Sequence, residues 1–170
     1  MVSLGRPFLV QDDGVAEAFN PVRMVHECTF HLVTGEQFPV GGGPFGTRLV
    51  AAVTDGWATG ARITGRLVGP SADWVLVGSD GYAEIDVRTQ LRTDDGIDLY
   101  LHYTGSPEMN DAVMTAVANG GETAFGEQYW YTHLRIESGA EHYQWVNRTL
   151  FVGQGRKTPD GIGYEIYRMA

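Results

Sequence analysis

The chain is 170 residues long, enough for one domain that buries about two-thirds of the surface its unfolded form exposes. A formal charge of −9, from 12 Lys plus Arg against 21 Asp plus Glu, argues against a footprint on nucleic acid or on an anionic membrane surface. The lone cysteine, Cys28, excludes an internal disulfide and a cysteine-rich zinc site, and reads as a small buried strand residue. No basic leader followed by an apolar run opens the sequence and no apolar run reaches membrane-spanning length, so the expectation is a cytoplasmic protein without a membrane partner.

Residues 1–22, with Gln11-Asp12-Asp13-Gly14 and Asn20-Pro21, have little periodicity and read as an N-terminal arm before a domain spanning 23–170. Met24 to Thr34 alternates as a first strand. The Gly41-Gly42-Gly43-Pro44 run is a flexible connection; it lacks the Lys-Ser or Lys-Thr pair and the following helix of a phosphate loop. Further strands are expected over Thr47–Thr54 and Ala61–Val68, after which Gly69-Pro70-Ser71 turns the chain into Asp73-Trp74.

The stretch Asp73–Gly96 is the organising hairpin. Ser79-Asp80-Gly81 and Thr93-Asp94-Asp95-Gly96 tolerate positive φ and reverse the chain. Between them Tyr82, Glu84, Asp86, Arg88, Gln90 and Arg92 fall on one face, and Ala83, Ile85, Val87, Thr89 and Leu91 on the other. The ionic face is either the wet side of a sheet or the polar wall of a cavity. Ile97–Tyr103 is another amphipathic strand. Ser106-Pro107-Glu108-Met109 reads as a helix start, and Met109, Val113, Met114 and Val117 form a stripe that ends at Asn119-Gly120-Gly121, a lid over the end of a sheet. Gln128–Glu137 and Tyr143–Val152 are read as the last long pair, and Ile162–Arg168 closes the chain. About nine strands, one short helix and no βαβ spacing predict an all-β fold, a single antiparallel barrel, closed or nearly so.

Several stretches carry a resemblance: Gly60-Ala61-Arg62-Ile63-Thr64-Gly65, Asp73-Trp74, Asp80-Gly81, Asp86-Val87-Arg88, Thr93-Asp94-Asp95-Gly96, and Tyr143-Gln144-Trp145-Val146-Asn147 with Gly153-Gln154-Gly155. In their order and spacing the sequence resembles the family catalogued as domain of unknown function 3237, over about Thr34 to Tyr167. The resemblance implies a barrel like that of allene oxide cyclase, an internal ligand cavity and a homo-oligomer, dimer or higher. For some relatives it implies cofactor-free cyclisation or isomerisation in natural-product pathways. The segment Tyr129-Trp130-Tyr131-Thr132-His133-Leu134-Arg135-Ile136-Glu137-Ser138 departs from the family pattern and suggests a changed cavity wall.

Within such a barrel, an interior wall mixes apolar area with a few polar groups. The face of Tyr143, Trp145 and Asn147 fits that mixture best, and the face of Asp86 and Arg88 second, as an ion pair lining the pocket. Asp73 reads either as a turn residue bonding backbone amides or as a general acid or base whose pKa is set by Trp74 and partial burial. His133, on the face of Tyr129 and Tyr131, is the histidine placed to move a proton. The five histidines lack metal-ligand spacing, and no Gly-x-Ser-x-Gly elbow is present, so no metal and no serine nucleophile are expected.

These readings converge on a cofactor-independent isomerase or cyclase that folds a small, mostly apolar carbonyl substrate inside the barrel. Arg88, Asp86, Asp73 and His133 would be the catalytic groups, and Tyr129, Tyr131, Tyr143, Trp145, Asn147 and Trp74 would bind substrate. No cofactor is called for. The alternative is a carrier or sensor of the same fold. A third reading, a structural subunit with a filled core, would be supported by the absence of an internal cavity above about 300 Å³.

Overall fold

The computed structural model describes residues 22–170; the expected N-terminal arm, apart from Val22, lies outside the described residues. Eight strands run antiparallel around a ring in chain order: β1 (Met24–Gly43), β2 (Gly46–Gly60), β3 (Gly65–Val77), β4 (Ala83–Thr93), β5 (Asp98–Gly105), β6 (Tyr131–Glu137), β7 (Phe151–Thr158) and β8 (Gly161–Met169). The ring closes where β8 pairs with β1, from Met24 opposite Met169 to Val33 opposite Gly161.

The count is eight, not nine, because two expected strands are one, and another expected strand has other bounds. Gly69-Pro70 does not end a strand: Gly69 takes φ +71 in an irregularity between Val68 and Ala72, and β3 continues past it. The stretch expected as a strand from Tyr143 is instead a 3-10 helix, Glu141–Arg148, and the strand begins only at Phe151.

Strand faces follow from the period of two. Along β4 the pattern is strict: Ala83, Ile85, Val87, Thr89, Leu91 and Thr93 are buried, while Glu84, Arg88 and Arg92 are exposed. Residues in register share a face, so one inward row runs Ala51, Asp73, Val87, Tyr103, Leu134 across β2 to β6, and another runs Phe30, Tyr164, Gly155 across β1, β8 and β7. The apolar core fills the barrel, with Phe30, Leu91, Leu99, Leu134 and Phe151 almost fully buried.

On β7 the inward positions after Phe151 are Gly153 and Gly155. The room this leaves is taken by the Trp130 indole, which lies so close that a Cβ at Gly155 would stand 2.5 Å from it; the Gly155 N–H donates to the Trp130 carbonyl at 2.8 Å. Gly155→Ala is therefore expected to cost about 1–3 kcal/mol, as overpacking does, and a urea midpoint unchanged from the native chain would contradict that fit.

One end of the barrel is shut by charge. Glu27, 3% exposed, accepts from Arg62 through Nε at 2.9 Å and through Nη2, and Arg168 Nε stands 3.2 Å from it. The 3-10 helix packs there, with the Arg62 guanidinium 3.6 Å above the Trp145 ring.

At the other end lies α1 (Asp111–Asn119). Its N-cap is Asn110, whose side chain accepts from the Val113 N–H at 3.1 Å, rather than the expected Ser106; Gly120 ends it at φ +63. Val113 and Ala116 are its buried residues, whereas Met114 and Val117 are exposed, so of the expected Met and Val stripe only Val113, with Met109 just before the helix, packs on the core. At this end the hairpin of β1 and β2 reaches past β8 to a tip where Phe45 is 83% exposed. Among the described residues no helix is long and apolar enough to cross a membrane.

Candidate functional site

The inward row places Asp73 among apolar neighbours, opposite Val87 and Ala51. It is not a turn residue. Its Oδ1 accepts from the Asp86 N–H at 3.2 Å, a weak bond to the next strand, and among the described residues no cation stands within ion-pair distance of it. Burial pushes its pKa up to about 7, with the Asp86 charge adding to the rise and the Asp86 N–H opposing it. Trp74 is the next residue on the strand and belongs to the opposite face, so burial, not Trp74, sets this value.

Around Asp73 the interior carries more polar atoms than an apolar core has use for. Ser71 and Thr89 share a hydrogen bond of 2.7 Å. Tyr103 and Tyr164, each 2% exposed, pack edge to face with ring centroids 5.4 Å apart, and Trp130 lies edge-on to Tyr164 at 6.5 Å. Burial, then the charges of Tyr164 and Asp73, hold the Tyr103 hydroxyl well above its usual range; burial and Asp73 do the same for Tyr164. Among the described residues the Tyr103 hydroxyl and the Trp130 indole N–H are buried and make no hydrogen bond of normal geometry. The space between Phe30, Tyr103, Thr132, Leu134, Tyr164 and Ile166 is too thin to take a water molecule. It falls below the size expected of a ligand cavity, so the side chains as they stand fill the barrel, which is the observation that supports the filled-core, structural-subunit reading.

Asp86 and Arg88 turn outward, contrary to the expectation that their face lines the interior. Asp86 is held between Arg88 Nη2 at 3.2 Å and His102 Nε2 at 2.9 Å, and Arg88 lies 5.3 Å over the Trp74 ring. This cluster borders an open groove of about 360 Å³ between Arg48, Trp74, Glu84, Asp86, Thr104 and Ser106. His133, on β6 opposite Thr104 of β5, sits on the same outer wall and is exposed. Tyr131 is also exposed and packs against Tyr129 at 5.1 Å, which in turn packs against Tyr82 at 6.5 Å.

The remaining three predicted residues are at the charge-shut end. Tyr143 donates to Asp95 at 3.2 Å, Trp145 lies under Arg62, and Asn147 closes a loop by accepting from the Ser138 N–H at 2.9 Å and donating to its carbonyl at 2.8 Å. The structure therefore separates the predicted residues into three places: Asp73 inside; Arg88, Asp86, Trp74, His133, Tyr129 and Tyr131 on the outer wall; Tyr143, Trp145 and Asn147 at one end. Sequence reasoning missed Tyr103, Tyr164 and Trp130. For Tyr103 the signal was present, a hydroxyl on the apolar face of β5 beside Leu99 and Leu101. Among the described residues no three His, Cys, Asp or Glu side chains gather as a metal site.

Ring closure in chain order and the polar groups facing inward define a closed eight-stranded antiparallel barrel with an acidic interior position. The chain belongs to the family described as "Protein of unknown function (DUF3237)", whose model matches residues 22–169. A UPF0311 protein of Clostridium acetobutylicum is 24% identical over 125 residues, covering 74% of this chain and 79% of that protein. The crystal structure of a conserved protein of unknown function from Rhodopseudomonas palustris superposes with a TM-score of 0.80 at 22% identity, over 89% of this chain and 100% of that one. A structure described as an enzyme from Penicillium herquei superposes with a TM-score of 0.66 at 15% identity, over 89% of this chain and 96% of that one; at such identity the likeness is one of fold.

Proposed function

We propose that this protein is a cofactor-independent isomerase or cyclase acting on a small, mostly apolar carbonyl metabolite, with Asp73 as the group that moves the proton. The observation behind this reading is an inward-facing carboxyl with no cationic partner among the described residues and a pKa of about 7, where it exists in both forms at neutral pH. A group titrating near the working pH serves best as a general acid or base. An uncompensated carboxyl also costs stability, which a barrel serving only as a structural subunit would have no reason to retain. That a structural neighbour is described as an enzyme supports the fold's capacity for catalysis. Because the void is thin, substrate entry requires the rings lining it to shift.

The outer groove supports a second reading, a carrier or sensor: there Arg88 would hold a carbonyl or carboxylate over Trp74, with Asp86 and His133 on the same wall. The assembly we propose is a homo-oligomer, with a small molecule as its other partner.

Native mass spectrometry of the purified protein, with extraction of any retained molecule, supplies the substrate for the test. Asp73→Asn is expected to lower turnover of that molecule by a factor of about 100 or more while leaving binding in place. If Asp73→Asn turns over normally and Arg88→Ala or Asp86→Asn abolishes binding, the outer-wall reading replaces the first.

A further inference from the structure

Inside the barrel two hydrogen-bond donors are poorly satisfied. The Tyr103 hydroxyl, on a residue 2% exposed, and the Trp130 indole N–H, on a residue 6% exposed, make no hydrogen bond of normal geometry among the described residues, and the acceptor both approach is the Tyr164 hydroxyl. Leaving a buried polar group unpaired costs about 1–3 kcal/mol, so buried donors are nearly always satisfied by protein, water or ligand. The adjoining void is too thin for a water molecule. Both residues meet the same third ring: Tyr164 packs edge-on against Tyr103 and against Trp130. The backbone is shaped around this group, since the inward glycine Gly155 admits the indole and Gly153 has Thr132 Oγ1 2.5 Å from where its Cβ would stand, with the Tyr164 ring 3.5 Å away.

We propose that Tyr103 Oη and Trp130 Nε1 together receive one substrate oxygen, a ketone or phenolic oxygen on a flat, otherwise apolar ring. The rest of the lining is mostly hydrocarbon, Phe30, Leu134 and Ile166, with the Thr132 hydroxyl turned to the Gly153 carbonyl, and this suits such a ring. Tyr164 lies against both donors and is the side chain that turns aside when the oxygen enters. In the reaction, on a ketone substrate, the two donors stabilise charge gathering on the oxygen as a proton leaves the carbon α to the carbonyl for Asp73 and is returned to a different carbon of the conjugated enolate; the electron pair of the broken C–H bond passes through the enolate into the new C–H bond, so no oxidant or reductant is needed. This assignment rests on the reading of Asp73 as the proton-moving group.

The probes are 2-naphthol and naphthalene, the same flat ring with and without the oxygen, titrated into the intact protein. Binding is followed by calorimetry and by the Trp130 indole N–H resonance. The naphthol is expected to bind about tenfold more tightly than naphthalene and to shift the Trp130 signal, as one neutral hydrogen bond would give. Tyr103→Phe and Trp130→Phe should each erase most of that preference without weakening naphthalene. Tyr164→Ala, which opens the space, should bind the naphthol at least as well as the native chain. Equal affinity for the two probes, a stationary Trp130 signal, or a preference untouched by either variant would overturn the two-donor site. If Asp73→Asn still loses turnover in that event, the proton-moving reading stands and only the oxygen site falls.

Discussion

Replacing Asp73 with asparagine is expected to stabilise the barrel, and to do so more at pH 8 than at pH 5. The folded chain holds the proton on this carboxyl up to about pH 7, whereas an unfolded chain releases it near the ordinary value of 3.8. Between those two values the folded state binds more protons than the unfolded state, so stability falls as pH rises from about 4 to about 7 and is level above. Three pKa units correspond to roughly 4 kcal/mol, trimmed by the partial exposure of the side chain. Asparagine keeps an oxygen for the Asp86 N–H and carries no charge. The difference in unfolding free energy between variant and native chain should therefore grow by about 2–3 kcal/mol from pH 5 to pH 8, with every other titration cancelling in the comparison. Urea unfolding at the two pH values measures it. A difference that stays constant would mean that Asp73 is already well solvated, and the case for it as an acid or base would go with it. A residue whose removal strengthens the fold while ending turnover is the expected signature of a functional group held at a cost to stability.

The second large effect is expected at Glu27. This carboxylate is 3% exposed and faces Arg62 and Arg168, whose own side chains are 44% and 30% exposed. Glu27→Gln removes the charge and leaves two guanidinium groups crowded together, one of them also stacked on Trp145. Breaking a buried pair in this way costs about 3–5 kcal/mol, and the partial access of the arginines to water puts the expectation near the low end. The loss should appear as a lower denaturation midpoint with an unchanged slope. A change under about 1 kcal/mol would show that solvent screens the cluster and that packing alone shuts this end of the barrel.

Much of the architecture was legible because period-two alternation survives in the sequence. The faces assigned to the strand from Tyr82 to Arg92 are those β4 presents, and the Asp-Gly turns fall where Gly81 and Gly96 take φ of +86 and +85. The stretch from Tyr143 misled for a physical reason. Aromatic and polar residues at 143, 145 and 147 imitate a strand face, but in the structure Tyr143 and Val146 are the buried pair, three residues apart, as one turn of a 3-10 helix requires. Gly69-Pro70 misled similarly, since a bulge and a turn use the same residues.

The site was less legible. Alternation divides a strand into two faces without saying which is inside, and an ionic face such as that of Asp86 and Arg88 satisfies either choice. Asp73 drew attention through its position beside Trp74, yet its burial depends on Ala51 from β2 and Val87 from β4, contacts no local pattern records. Trp130 was visible only as one more aromatic, because what matters is that its N–H is poorly satisfied.

The pairing of β1 with β8 has a kinetic consequence. Met24 and Met169 are neighbours in space and nearly the full described chain apart in sequence. Contacts of such long sequence separation make closure a late and slow event in folding. Until β8 docks, the inward row of β1 lacks Tyr164 beside Phe30, and the first strand shows an open edge to solvent and to other chains. The packing of Tyr103, Tyr164 and Trp130 thus comes into being in the same step that completes the ring, so a chain caught before that step is both prone to aggregate and without the proposed interior site.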